Sequence, residues 1–142
     1  MQLVRHLLEN KSTGVITIRP DAPVLDAIRL MAQHSTGSVL VMRGHTLVGI
    51  VSERDYARKI VLKGRSSATT PVADIMSSPV VTVGPDATIR HCMELMTHGR
   101  FRHLAVIEGA HVIGVVSIGD LIKALLELQQ AEIAQLQQYI SS

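Results

Sequence analysis

The chain repeats itself, and the repeat limits its fold more than any other feature. GIVSERD, Gly49 to Asp55, returns as GVVSIGD, Gly114 to Asp120, so Gly49, Ser52 and Asp55 each have a counterpart 65 positions later. The same offset lays Val15–Asp55 over Val80–Asp120 without a gap. Roughly a third of the aligned positions are identical, and most of the others exchange one apolar residue for another. Chance can repeat a motif, but not a register held over such a length.

Both copies follow one pattern. VITI or VVTV reads as a strand, and the RPDA or GPDA turn after it places Asp21 or Asp86 to cap the next helix. Val24, Ala27, Ile28 and Met31 recur at helical spacing, as do Ile89, Cys92, Met93 and Met96. Two strands follow, SVLVM and LVGIV or HLAVI and VIGVV, joined by glycine turns at Arg43-Gly44 and Glu108-Gly109. A second helix opens at Ser52 or Ser117. One β-α-β-β-α unit buries too little surface to stand comfortably alone. The pattern therefore predicts an α+β fold of two units docked through their sheets about a pseudo-twofold axis. KGRSSATT, Lys63 to Thr70, reads as the linker, dividing the chain into repeats 1–65 and 66–142. PVADIM, Pro71 to Met76, reads as a short helical lead into the second repeat, with MQLVRHLLENK as its counterpart before the first.

Composition excludes several classes of function. The net charge of +2 is small, and the only aromatics are Tyr56, Phe101 and Tyr139. Nucleic-acid binding needs a basic stripe or stacking platforms, and the runs RDYARK and RFRH are short enough to be solvated faces, so no DNA partner is expected. Cys92 is the single cysteine, which rules out an intrachain disulfide and places it on the core face of the first helix. The histidines at 6, 34, 45, 91, 98 and 111 lack metal-site spacing. No apolar run approaches the roughly 20 residues that span a bilayer, and the N-terminus lacks a signal-peptide core. The expectation is a cytoplasmic protein with no membrane contact. It is not expected to be an enzyme: there is no P-loop, no metal cluster and no supported triad. Ser52 and Asp55 share one helical turn, which suits binding better than a nucleophile and its relay.

Ser-x-x-Asp at a strand-to-helix junction has two readings. As a capping box, the serine accepts from the third helical N–H and the acid reaches back to the serine N–H. That leaves the glycine unexplained. As a ligand site, the helix N-terminus favours phosphate. The aspartate can then accept both hydroxyls of a ribose diol, as the acid of dinucleotide-binding folds does. Gly49 and Gly114 let a ligand or a facing backbone approach the strand.

A repeated β-α-β-β-α unit carrying Gly-h-x-Ser/Thr-x-x-Asp after its last strand resembles the CBS domain, and two in tandem resemble a Bateman module. DIMSSPVVTVGPDATI, FRHLAVIEGAHVIGVVSIGDLIK and GIVSERDYARK carry the resemblance. SERDYARK is similar to small stand-alone CBS-pair proteins. The resemblance implies a regulatory module for adenosine-containing ligands: AMP, ADP, ATP, a dinucleotide such as NAD, or S-adenosylmethionine, with no catalytic cofactor. It also implies pockets built across the repeats. Ser52, Arg54 and Asp55 would share a first pocket with Val80, Val81, Arg102 and His103. Ser117 and Asp120 would face Val15, Ile16, Gly37 and Ser38 in a second. Arg102 offers a guanidinium fork to phosphate, and a phosphate beside His103 would raise its pKa. The second pocket lacks the Arg-His pair and should hold phosphate less strongly. One departure is that neither LAV (104–106) nor VLV (39–41) carries the proline common in that strand, which loosens the placement of an adenine.

The tail IGDLIKALLELQQAEIAQLQQYI is long for one closing helix. Ile122, Leu126, Gln129, Ile133, Leu136 and Ile140 alternate spacings of 4 and 3, a heptad seam with one polar member. Leu121, Leu125 and Leu128 can pack on the sheet while the seam meets a second copy; the alternative is a helix folded back on its own chain. The expected function is a homodimeric sensor whose occupancy is passed to a protein effector in trans. The alternative is an adaptor with vestigial pockets that works through its surface and tail.

Overall fold

A computed structural model describes residues 2–11 and 14–141. Met1, in the sequence-read lead, Ser12, Thr13 and the terminal Ser142 lie outside the described residues. The order is α1 (Val4–Glu9), β1 (Thr17–Ile18), α2 (Val24–His34), β2 (Ser38–Arg43), β3 (Thr46–Ser52) and α3 (Glu53–Tyr56). Then come β4 (Thr82–Val83), α4 (Ile89–Gly99), β5 (His103–Glu108), β6 (His111–Ser117) and α5 (Ile118–Ser141). A π-helical turn, Ala57–Val61, continues α3, and a 3₁₀ turn covers Val72–Asp74.

The repeat is visible in the sheets. Each has three strands, β1-β2-β3 and β4-β5-β6, with the first pair parallel and the second antiparallel. Leu40 faces Ile50 as Ala105 faces Val115, and both hairpins shift register at the same place, Val41/Met42 and Val106/Ile107. Gly44 and Gly109 take φ of 62°, the left-handed conformation that a glycine-first, two-residue hairpin loop requires. Ser35 and Arg100 end α2 and α4 in the same left-handed region, with φ of 51° and 56°.

The strands read from VITI and VVTV are shorter than expected. Only Thr17–Ile18 and Thr82–Val83 form ladders, although the Ile16 and Val81 carbonyls still accept from Leu40 N (3.1 Å) and Ala105 N (3.4 Å). The capping expected of Asp21 and Asp86 is not observed. Each lies two residues before the N-cap position, too early to reach the first free N–H groups. Pro23 holds the cap position of α2 without a side-chain bond, and Thr88 caps α4 by accepting from His91 N at 3.0 Å. Asp21 instead pairs with Arg19, whose hydrogen bond holds its carboxyl below the usual range, and Asp86 pairs with Arg5.

The two cores do not follow the linear boundary between residues 65 and 66. One gathers Val24, Ala27, Met31, Val39, Val41 and Val51 of the first repeat, together with Val72 and Ile75 from the lead of the second. The other gathers Ile89, Cys92, Met96, Leu104, Val106, Val116 and Leu121, together with Val4 and Leu7 from α1. Each lead thus crosses to the opposite repeat. Val72 N donates to Ala22 O at 2.8 Å and Val4 N to Ala87 O at 2.9 Å, so Val4 is the spatial counterpart of Val72. Burying such leads adds apolar surface to each small core and ties the repeats together.

Helix α5 is one unbroken element of 24 residues, and residues 126–141 along it are exposed rather than packed back on the chain. Leu121 and Ala124 are buried and Leu125 packs against the core, but Leu128 is 39% exposed, so the expected packing of Leu128 on the sheet does not occur. The helix has by then passed the edge of the body. Among the described residues no helix is long and apolar enough to cross a membrane.

Candidate functional site

Two cavities lie between the repeats, and each begins at a capped helix. Ser52 Oγ accepts from Asp55 N at 3.2 Å while Asp55 Oδ2 accepts from Ser52 N at 2.9 Å. Ser117 and Asp120 make the same pair of bonds at 3.1 and 2.8 Å. Both Ser-x-x-Asp motifs are therefore capping boxes, whatever else they do. Each box commits one carboxylate oxygen to the backbone.

The glycines serve the leads. A Cβ on Gly114 would lie 2.5 Å from Leu8 Cδ2, and one on Gly49 would overlap Met76 Sδ and lie 2.8 Å from Met76 Cγ. It is a crossing lead side chain, not a ligand or facing backbone, that takes the space the missing side chain leaves.

The first cavity encloses about 380 Å³. Ser52, Arg54 and Asp55 line it from the β3–α3 junction, Val80 and Val81 from the chain entering β4, and Arg102 and His103 from the start of β5. All seven residues read from the sequence are brought together. Arg58, Lys59, Ser77, Arg100 and Phe101 join them and were not foreseen. Arg58 and Lys59 follow Asp55 by three and four positions, a signal present in DYARK but read as a solvated face. Arg100 was not legible, because it reaches the rim through the left-handed turn that ends α4.

Charge in this cavity is one-sided. Arg54, Arg58, Lys59, Arg100 and Arg102 face a single acid, Asp55. Lys59 Nζ lies 3.2 Å from Asp55 Oδ1 and donates to Ile75 O at 2.8 Å. Arg54 crosses to the other repeat, where its Nη1 donates to Arg100 O at 3.4 Å. Arg102 forms no ion pair among the described residues, so its guanidinium is available to an anion. His103 is held below the ordinary imidazole value, first by burial and then by Lys11 and Arg102, against the opposing pull of Asp120 and Asp55.

The second cavity is smaller, about 230 Å³. Ile16, Gly37, Ser38, Ser117 and Asp120 line it as expected, but Val15 does not; it borders a neighbouring hollow with Gln33 and His34. Ile16 borders both the cavity and that hollow. Arg102 does not line this cavity, so the Arg-His pair is not assembled here, but basic residues that the sequence reading did not place there are present. His103 lines both cavities, His34 borders this one, and Lys11 Nζ donates to Asp120 Oδ2 at 2.9 Å and to Val115 O at 2.8 Å. Burial alone would push the Asp120 carboxyl up; the Ser117 amide and the Lys11 ammonium outweigh it and hold the group low. Lys11 escaped the sequence reading because it precedes the aligned repeat. No group of three or more His, Cys, Asp or Glu among the described residues is placed to hold a metal ion.

Comparison with known proteins agrees with this architecture. The CBS domain family model matches residues 4–62 and 72–127. The chain is 42% identical over 125 residues to the mitochondrial CBS domain-containing protein CBSX3 of Arabidopsis thaliana; the match covers 84% of this chain but 61% of that relative, less than two thirds of its length. It is 30% identical to the CBS domain-containing protein YhcV of Bacillus subtilis, covering 80% of each. A CBS-domain protein from Burkholderia ambifaria superposes with a TM-score of 0.85 at 44% identity, covering 89% of this chain and 95% of that one. A hexameric CBS-CP12 protein from bloom-forming cyanobacteria superposes at 0.78 with 29% identity, covering 86% and 70%. CBS pairs are regulatory ligand-binding modules rather than catalysts. With both repeats matched and the whole fold shared, the chain belongs to the CBS-domain family as a tandem pair.

Proposed function

We propose that the protein is a sensor of adenine nucleotides that loads AMP, ADP, ATP or NAD in its first cavity. One observation carries this reading. A 380 Å³ space between the repeats places the Asp55 carboxylate among five cationic side chains and one imidazole. That volume lies within the roughly 300–1,000 Å³ typical of small-molecule pockets. Arg102 and Arg54 supply phosphate contacts, Asp55 accepts from the ribose in competition with Lys59, and Val80 and Val81 supply apolar surface and main-chain groups for the base. An anionic ligand relieves the repulsion among the cations, and because they come from both repeats it biases the angle between them. Only the differential affinity of the ligand for two arrangements can drive that change. The signal then passes to a partner in trans, from a homodimer in a reducing cytoplasm.

The adaptor reading is favoured by a separate observation, the exposed apolar stripe of Ile122, Leu126, Ile133, Leu136 and Ile140 on α5. A thermal-shift panel distinguishes the two. AMP, ADP, ATP, NAD, NADH and S-adenosylmethionine are tested on the wild type, Asp55→Ala and Asp120→Ala. A ligand at about a hundred times its Kd adds about 2.7 kcal/mol of stability. The sensor reading expects at least one compound to raise the wild-type melting temperature and Asp55→Ala to lose that rise. A panel with no response favours the adaptor.

A further inference from the structure

The duplication supplies an internal comparison for the cations of the first cavity. At the offset of 65, Arg54, Lys59, Arg100 and Arg102 stand where Gly119, Ala124, Ser35 and Gly37 stand in the other copy. Arg58 matches Lys123, which does not line the second cavity. The same unit therefore folds without a cationic cluster at these positions. The backbone differs at the same place: Arg58 and Lys59 lie on the π-helical turn Ala57–Val61, whereas α5 is α-helical through the matching positions. Such turns interrupt helices frequently at functional sites.

Of these cations Lys59 has a carboxylate partner, Asp55 at 3.2 Å. The guanidinium groups of Arg54, Arg58, Arg100 and Arg102 form no ion pair among the described residues. They come from both repeats and converge on one cavity, where Arg54 Nη1 donates to Arg100 O at 3.4 Å. Like charges gathered without acids repel one another, and a polyanion relieves that repulsion most fully. A monophosphate brings about −1.5 to −2 charges at neutral pH, enough for about two such groups. Arg54 and Arg102 meet that phosphate in the reading above, which leaves Arg58 and Arg100, each with a planar donor fork suited to phosphate oxygens. We infer that the first cavity takes a nucleoside carrying a chain of two or three phosphates, and that Arg58 and Arg100 read the phosphates beyond the first. This inference rests on the nucleotide reading of the first cavity.

Isothermal titration of the full chain with AMP, ADP and ATP, without divalent cations, tests it. The wild type is expected to bind more tightly with each added phosphate, by roughly tenfold or more from AMP to ATP, the factor that one charge-assisted bond supplies. In Arg58→Ala/Arg100→Ala the ratio of the AMP and ATP dissociation constants should fall toward one. Both arginines are exposed, so their loss leaves the core intact. Lys123→Ala, at the position matching Arg58, should keep the wild-type ratio, and inorganic triphosphate should bind the wild type more weakly than ATP does. Equal affinities for AMP and ATP in the wild type, an unchanged ratio in the double variant, or an equal fall in Lys123→Ala each overturns the reading of the phosphate chain by Arg58 and Arg100 while leaving the nucleotide site in place. Inorganic triphosphate bound as tightly as ATP, or no binding of any nucleotide, overturns the nucleotide reading itself, and the inference with it.

Discussion

Gly49 shows how much a single residue decides. Its hydrogen occupies the place where a side chain would meet Met76, so Gly49→Ala forces the lead to move. Overpacking of this kind costs about 1–3 kcal/mol. Gly49→Ala is expected to lower the denaturation midpoint accordingly, and Met76→Ala in the same chain should recover part of the loss. Additive losses in the double variant would show that the two do not meet. His103 has a pH signature. Its folded pKa lies below the ordinary 6.5, so the unfolded chain takes up the proton first. Its contribution to stability is complete above about pH 6.5 and is lost as pH falls through the depressed folded value. The groups that face it are Lys11, Arg102, Asp120 and Asp55. Urea midpoints at pH 7.5 and 5.5 should differ less in His103→Gln than in the wild type, once the change common to both is subtracted. At this scale the sequence showed Ser52, Asp55, Arg102 and His103 well, because each sits at a fixed place in the repeat. It hid Lys11, whose role depends on a crossing that no periodicity encodes.

Among the elements, the leads carry the least expected result. PVADIM and the N-terminal segment were legible as paired leads. Their destination was not, since a short amphipathic turn does not say which core receives it. The reason lies in size: each repeat gains buried apolar surface only by borrowing a turn from the other side of the linker. Helix α1 is held in the second core by Val4 and Leu7. Leu7→Ala should therefore destabilise the second repeat by about 2–5 kcal/mol, the usual cost of a buried leucine. Hydrogen exchange should show protection lost first in β5 and β6 rather than in β2 and β3. Loss centred on the first sheet would contradict the crossing. The strands VITI and VVTV were overread for a related reason. Their outer residues leave the ladder to line cavities, which alternation alone cannot reveal.

For the whole molecule, α5 and the first cavity make separate claims. Leu136 is 61% exposed and Ile140 80% exposed on a helix that has left the body, and together with Ile122, Leu126 and Ile133 they form a seam of heptad spacing. Such a seam suits a second copy of the chain. Sedimentation velocity is expected to show a dimer or larger assembly that Ile133→Lys/Leu136→Lys reduces, with an unchanged distribution counting against the seam. The central claim is that adenine nucleotides load between Asp55 and Arg102. It is tested most directly by titrating the isotope-labelled chain with ATP and following the amide ¹H–¹⁵N correlations. Shifts should concentrate at residues 52–59, 77–81 and 100–103, on both sides of the first cavity, and Arg102→Ala should suppress them. Spectra that do not change, or changes confined to α5, would contradict the claim.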